Sequence, residues 1–321
     1  MLTSVRWGVR QVVGWGLGVL GVLCTGCGSG GGEGAAPART VEPNLLSVSF
    51  AHSRILLQQQ QYQEESYSTK VRYWVPKTTA PLTGVQLECP ALSGGAALPG
   101  PYAPAATDGI NGRGVPIWVY WGGGTTVTSG QPVKVAVNAQ LPGYRPPDDA
   151  LRVYLASKEQ ETPYSIAGDF TLRAATGVLG SWQLPAPTAM LPAPEMTFPT
   201  FIGLNSLQPF QVHWKEVPGA VGYFINIEGN VEDTAGTAVR HVVWTSASTP
   251  VLFEVLFDHR PYLLSADTRS ITVPARIFRG CKGAQIDVIA IAAPLEDAAT
   301  TPTLRVSTAS ILSQFFVFYE Q

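Results

Sequence analysis

The chain has 321 residues, enough for one large domain or two ordinary ones. Hydrophobic residues make up 45%, so a sizeable core can form, while charged residues are only 14% against a typical ~25%. A formal net charge of −2 gives no electrostatic reason to expect nucleic acid or an anionic membrane surface as a partner. With 33 glycines and 26 prolines, turns are frequent and long helices few; runs rich in Val, Thr, Tyr, Phe and Ile point to an all-β fold.

At the start, Arg6 and Arg10 form a short positive segment, and Val12 to Leu23 is apolar, broken only by glycines. This run is too short to span a bilayer, which needs about 20 residues. It suits the hydrophobic centre of a signal peptide. No second apolar run of spanning length follows, so no transmembrane helix is expected.

Next come Leu23-Cys24-Thr25-Gly26-Cys27 and a glycine-rich stretch. This resembles the lipobox of bacterial lipoproteins, with Gly26 and Cys27 at the two most restrictive positions and Cys24 where the family prefers Leu. The resemblance implies a signal peptide over 1–26, diacylglycerol attachment to the Cys27 thiol, and cleavage that makes Cys27 the new N-terminus. Gly28 is not the Asp that favours inner-membrane retention, so the resemblance implies sorting to the outer membrane where the host has one. More than one acyl chain makes the attachment stable. Residues 27–41 read as a flexible tether with a mean reach of about 20 Å.

Residues 42–183 are expected to form a first β-sandwich. Candidate strands are Leu45–Phe50, Thr69–Val75, Gly84–Leu87, Pro116–Trp121, Val133–Asn138 and Leu151–Ala156, with Gly, Pro and Asp clusters between them. In the second, Val71, Tyr73 and Val75 face one way and Arg72 and Trp74 the other. Gln58–Gln61 is low-complexity and carries no assigned function. Leu184-Pro185-Ala186-Pro187 is echoed by Leu191-Pro192-Ala193-Pro194. Prolines at this spacing favour an extended segment and cannot sit in a sheet interior. Residues 184–197 therefore read as a linker between domains; the alternative is an extended edge segment within one domain.

In residues 198–321, Gln211–Lys215 alternates, Val217-Pro218-Gly219-Ala220 is a turn, and Gly222–Ile227 alternates again. Trp214 before this turn, and the Gly222-Tyr223 pair after it, resemble the B strand, turn and C strand of fibronectin type III-like domains. Ile271–Ala275 and Ile286–Ile291 are similar to the E and F strands, without the tyrosine usual at the start of F. The resemblance implies a second β-sandwich with Trp214 in its core and a last strand over Ser310–Tyr319.

No catalytic, cofactor or metal motif is found. His52, His213, His241 and His259 lack HExxH, HxH or Cys-His spacing. There is no GxSxG elbow. Asp108–Gly114 has oxygen ligands but not the spacing of a calcium loop. Aromatic residues gather at Trp118, Tyr120 and Trp121 and at Phe315, Phe316, Phe318 and Tyr319; alternate members face opposite sides of a strand. Cys89 and Cys281 stand one in each region. They bridge the two regions, pair with another molecule or remain thiols, and the linker's freedom favours thiols. The reading is a non-enzymatic, lipid-anchored envelope protein acting as a binding or spacer module, with the membrane, and an envelope protein or glycan, as partners. The alternative is an anchored extracytoplasmic enzyme or glycan-binding protein, its site between the domains or on the aromatic strand.

Overall fold

The computed structural model describes residues 44–57, 62–92, 95–102, 114–139, 150–163, 165–185, 190–197, 204–250 and 262–319. The signal segment, Cys27, the tether, Gln58–Gln61 and His259 lie outside the described residues, as does all of the Asp108–Gly114 loop except Gly114.

The chain is all-β, with no α-helix among the described residues. The first strands are β1 (Leu45–Leu57), β2 (Tyr62–Pro76), β3 (Gln86–Glu88), β4 (Ala96–Ala97), β5 (Ile117–Trp121) and β6 (Val133–Val135). They are followed by β7 (Leu151–Gln160), β8 (Gly168–Ala174), β9 (Gly177–Leu184), β10 (Leu204–Asn205), β11 (Phe210–His213) and β12 (Ala220–Glu232). The last six are β13 (Ala238–Thr245), β14 (Leu264–Ser265), β15 (Ser270–Val273), β16 (Cys281–Ala292), β17 (Leu295–Asp297) and β18 (Thr303–Tyr319). The β8–β9 hairpin was not among the expected strands.

One large sheet runs β6-β5-β13-β12-β16-β18-β1-β2-β7, with β10 and β17 on β18 and β14 on β12. A four-stranded sheet, β4-β3-β8-β9, and a two-stranded sheet, β11-β15, are separate. The expected boundary at 184–197 is crossed twice. β1 lies parallel to β18, with Leu45 opposite Thr303 and Leu56 opposite Gln314. β5 lies parallel to β13, with Ile117 opposite His241. The first crossing follows from the length of β18: its 17 residues reach about 55 Å at the usual strand rise, enough to serve both halves.

Two cores form on the same face of this sheet. The first gathers Leu46, Val48 and Phe50 of β1, Val71, Tyr73 and Val75 of β2, and Leu87, Phe170, Leu172 and Trp182 from the four-stranded sheet. The alternation expected for β2 is met: Trp74 packs apart from this core, with Leu45, Leu151 and Val153. The second core joins Tyr223, Ile225 and Ile227 of β12 to Val242, Trp244, Ile286, Val288, Val212, Val273 and Trp214. β18 gives Leu304 and Val306 to the first and Phe316 and Phe318 to the second. All four positions are even-numbered, so they point to one side of a regular strand.

Local chemistry explains the turn into β12. Gly219 adopts φ +86°, which a side chain would disfavour. Beside it, the Val217 amide donates to the Tyr223 hydroxyl at 2.8 Å, satisfying a buried phenol. Trp214 packs on Tyr223 with ring centroids 5.4 Å apart and is 2% exposed. The segment before β11 is extended along it: Thr197 N–H donates to the His213 carbonyl and Lys215 N–H to that of Glu195. Met190 packs on the first core, and Leu191 and Met196 on the second.

Cys89 lies in the first core and Cys281 in the second, and neither forms a disulfide. Burial pushes the Cys89 thiol up to about 11, against its activation as a thiolate. Both cysteines are expected to react with a thiol reagent after denaturation of the non-reduced mature protein; a protein with no reactive thiol would establish a bridge. Trp214→Ala empties a large core position and is expected to cost about 3–5 kcal/mol in urea unfolding of the full chain. An unchanged midpoint would mean that Trp214 is not a core residue.

Candidate functional site

The large sheet's other face is differently built. Phe224, Ile289, Ile291, Ala309 and Ile311 form a small apolar cluster there with Ala51 and Ala247. Next to it the pattern becomes polar. On β12, Asn226, Glu228 and Asn230 alternate with the core residues Ile225 and Ile227; on β16, Gln285 and Asp287 alternate with Ile286 and Val288. Register aligns them: Asn226 lies opposite Asp287, Glu228 opposite Gln285, and Asn230 opposite His241 of β13. Asp287 in turn faces Ser313 of β18, and Gln285 faces Phe315.

These side chains are linked. His241 Nδ1 lies 2.8 Å from Asn230 Oδ1, and its Nε2 lies 3.0 Å from Glu228 Oε2. The Asn226 amide donates to Glu228 Oε1 at 3.1 Å and to Asp287 Oδ2 at 3.2 Å. Gln285 Nε2 donates to Asp287 Oδ1 at 2.7 Å. Burial raises the Asp287 carboxyl to about 6, opposed by hydrogen bonds from Ser313, Gln285 and Asn226 and assisted by the Glu228 charge. The row grades from buried to open: Asn226 is 2% exposed, the Glu228 side chain 20%, and Asn230 is exposed. Two buried atoms, Asn226 Oδ1 and Thr245 Oγ1, have no hydrogen-bond partner among the described residues. Asn226 and Thr245 are cross-strand neighbours.

The aromatic sets divide as alternation requires. Phe316 and Phe318 enter the second core, where Phe318 stacks on Phe278 at 5.3 Å. Phe315, Val317 and Tyr319 lie on the polar row's face, with Val317 61% and Tyr319 38% exposed. Between the row and this strip, β16 carries Gly283, whose Cβ would meet the Phe316 carbonyl at 2.6 Å. The close approach of the β18 backbone requires glycine there. Tyr120 is in the second core, and Trp118 lies under the Arg240 guanidinium at 3.9 Å. Trp121 is held by its neighbour: Gln131 accepts from its N–H and donates to its carbonyl, both at 2.9 Å.

Of the residues singled out from sequence, His52 lies in β1 and stacks on Tyr67 at 4.7 Å, with Nδ1 3.3 Å from Ser310 Oγ. His213 lies in β11 opposite Ser270. His241 is the histidine drawn into the polar row. Cys27 lies outside the described residues. Asn226, Glu228, Gln285 and Asp287 were not anticipated. Their signal is present in the sequence, as polar residues at every second position of two otherwise apolar strands. Among the described residues, no group of three or more His, Cys, Asp or Glu side chains could hold a metal ion.

Asp287 has a definite consequence for pH. Its folded pKa is raised above the usual 3.8, so its contribution to stability is present below that value and lost as pH rises through about 6. The loss approaches about 3 kcal/mol at neutral pH. In urea unfolding, Asp287→Asn is expected to gain on the wild type by about that amount between about pH 4 and about pH 7.5. Parallel pH profiles for the two proteins would show that the carboxyl is not desolvated. No protein-family model and no curated protein matches the chain, so the reading of this face rests on its chemistry.

Proposed function

We propose that this is a non-catalytic, lipid-anchored protein of the bacterial cell envelope that acts as a binding or spacer module. In this reading the N-terminal signal directs export, Cys27 carries the lipid, and residues 27–41 tether the folded body to the membrane. The location is the outer membrane where the host has one.

One observation carries the reading: the strand nearest the tether is central in the sheet. β1 is paired along its length with β2 on one side and β18 on the other. Tension from an anchor at Cys27 would act along this strand and load both ladders in shear, so many hydrogen bonds would have to yield together. That suits a body held by its N-terminus. The pairing also supports a fibronectin type III-like reading of the second half. β11 pairs with β15, and β12-β16-β18 are consecutive, as B pairs with E and C with F and G in such sandwiches.

A second reading, a glycan-binding protein or anchored enzyme with its site on the aromatic strand, is favoured by the polar row beside Phe315 and Tyr319. The test of the anchor is Cys27→Ser. The variant is expected to leave the membrane fraction or to accumulate as the uncleaved precursor. Membrane attachment and mass equal to those of the wild type would overturn the proposal.

A further inference from the structure

We infer that the face formed by β12, β13, β16 and β18 binds a neutral sugar chain, with the polar row holding hydroxyl groups and Phe315 and Tyr319 receiving the ring's apolar side. The inference rests on the second reading above, that the site is on the aromatic strand, and names its ligand class.

Composition of the face comes first. Glu228, Asn230 and Gln285, the members of the row that are not buried, present planar amide and carboxylate groups with several donors and acceptors each, held in place by the buried Asn226, His241 and Asp287. Vicinal sugar hydroxyls need such paired groups. Neither Lys nor Arg belongs to the row, and its two carboxylates repel phosphate, sulfate and uronate. Charge therefore selects an uncharged, hydroxyl-rich ligand over an anionic one. Lys282, nearby on β16, is bound to Glu232 at 2.7 Å.

The second observation is independent of composition. Asn226 Oδ1 and Thr245 Oγ1 are cross-strand neighbours, 2% and 0% exposed by residue, and neither has a hydrogen-bond partner among the described residues. A buried acceptor beside a buried hydroxyl costs stability unless a further group completes it. A ligand hydroxyl reaches the pair only on a side-chain shift that opens it, and then donates to the first and accepts from the second. The third observation is the adjoining strip. Phe315, Val317 and Tyr319 recur every second residue along β18, about 7 Å apart. Their rings and methyls give an amphipathic ligand its apolar contact next to the hydrogen-bonding row.

The test is isothermal titration calorimetry of the full mature protein with maltohexaose, cellohexaose and chitohexaose as probes. At least one is expected to bind with one-to-one stoichiometry. Phe315→Ala and Gln285→Ala should each weaken it at least about tenfold, whereas Val178→Ala, on β9 in the other half, should leave it unchanged. Where Phe315→Ala fails to fold, Tyr319→Ala replaces it. No binding of any probe, or binding that survives both substitutions on the face, would overturn the inference. A separate pull-down distinguishes the two readings. Capture of an envelope protein that is lost with Phe315→Ala, without sugar binding, ends the sugar inference but keeps the face as a binding site.

Discussion

The parallel pairing of β1 with β18 is the constraint on which the rest of the molecule depends. It brings the beginning of the folded chain to its end across twelve registered positions. Through it the first core obtains Leu304 and Val306, while the far end of the same strand supplies Phe316 and Phe318 to the second. Neither core closes without β18. The two halves are therefore coupled by shared backbone hydrogen bonds, which a proline-rich connector alone would not provide. Parallel pairing of strands so distant in sequence has a high loop-closure cost, so the local hairpins have reason to form before this pair closes.

That arrangement also decides what the two faces can do. A regular strand sends alternate side chains to opposite sides, so a sheet with both cores on one face must offer its other alternate residues on the second. There the apolar residues fall into three small clusters, around Phe224, Ile289 and Ile311, around Trp74 and Leu151, and around Val119 and Val243. The neighbouring positions are filled by amides, carboxylates and a histidine that satisfy one another. A buried network of this kind fixes orientation more than it adds stability. It makes Asp287 a weak point at neutral pH, because ionising it there costs desolvation energy. A chain selected only for stability would place apolar residues at both Asn226 and Asp287. A buried carboxyl at this cost fits a patch with a task besides holding the sheet together.

Much of the β-structure was legible in the sequence, for a simple reason. Thr69–Val75 and Gly222–Ile227 alternate cleanly, and their core-facing sets are those expected: Val71, Tyr73 and Val75 in one, Tyr223, Ile225 and Ile227 in the other. The turn at Val217–Ala220 was legible because only glycine suits the conformation at Gly219. The partnership of strands was not. Alternation states which side of a strand is apolar, but not which strand lies beside it. Nothing in Ile117–Trp121 marks His241–Thr245 as its parallel neighbour. The β8–β9 hairpin escaped for a different reason. Gly168, Gly177 and Gly180 interrupt it, and its exposed Val178 breaks the expected alternation.

The polar row shows the same limit in sharper form. Asn226, Glu228 and Asn230 could be read from sequence as the solvent side of a half-buried strand, which is the ordinary meaning of such a pattern. Only pairing changes it. Once β16 lies against β12, Asp287 comes opposite Asn226 and Gln285 opposite Glu228; β13 then brings His241 opposite Asn230. Three separately unremarkable alternations become one connected surface, and two of its atoms are left buried without a partner among the described residues. The aromatic strip arrives by the same route: β18 was recognisable as a strand, but only its antiparallel register with β16 sets Phe315 beside Gln285. What the chain can bind is thus a property of cross-strand register, written in the sequence one strand at a time and assembled by the sheet.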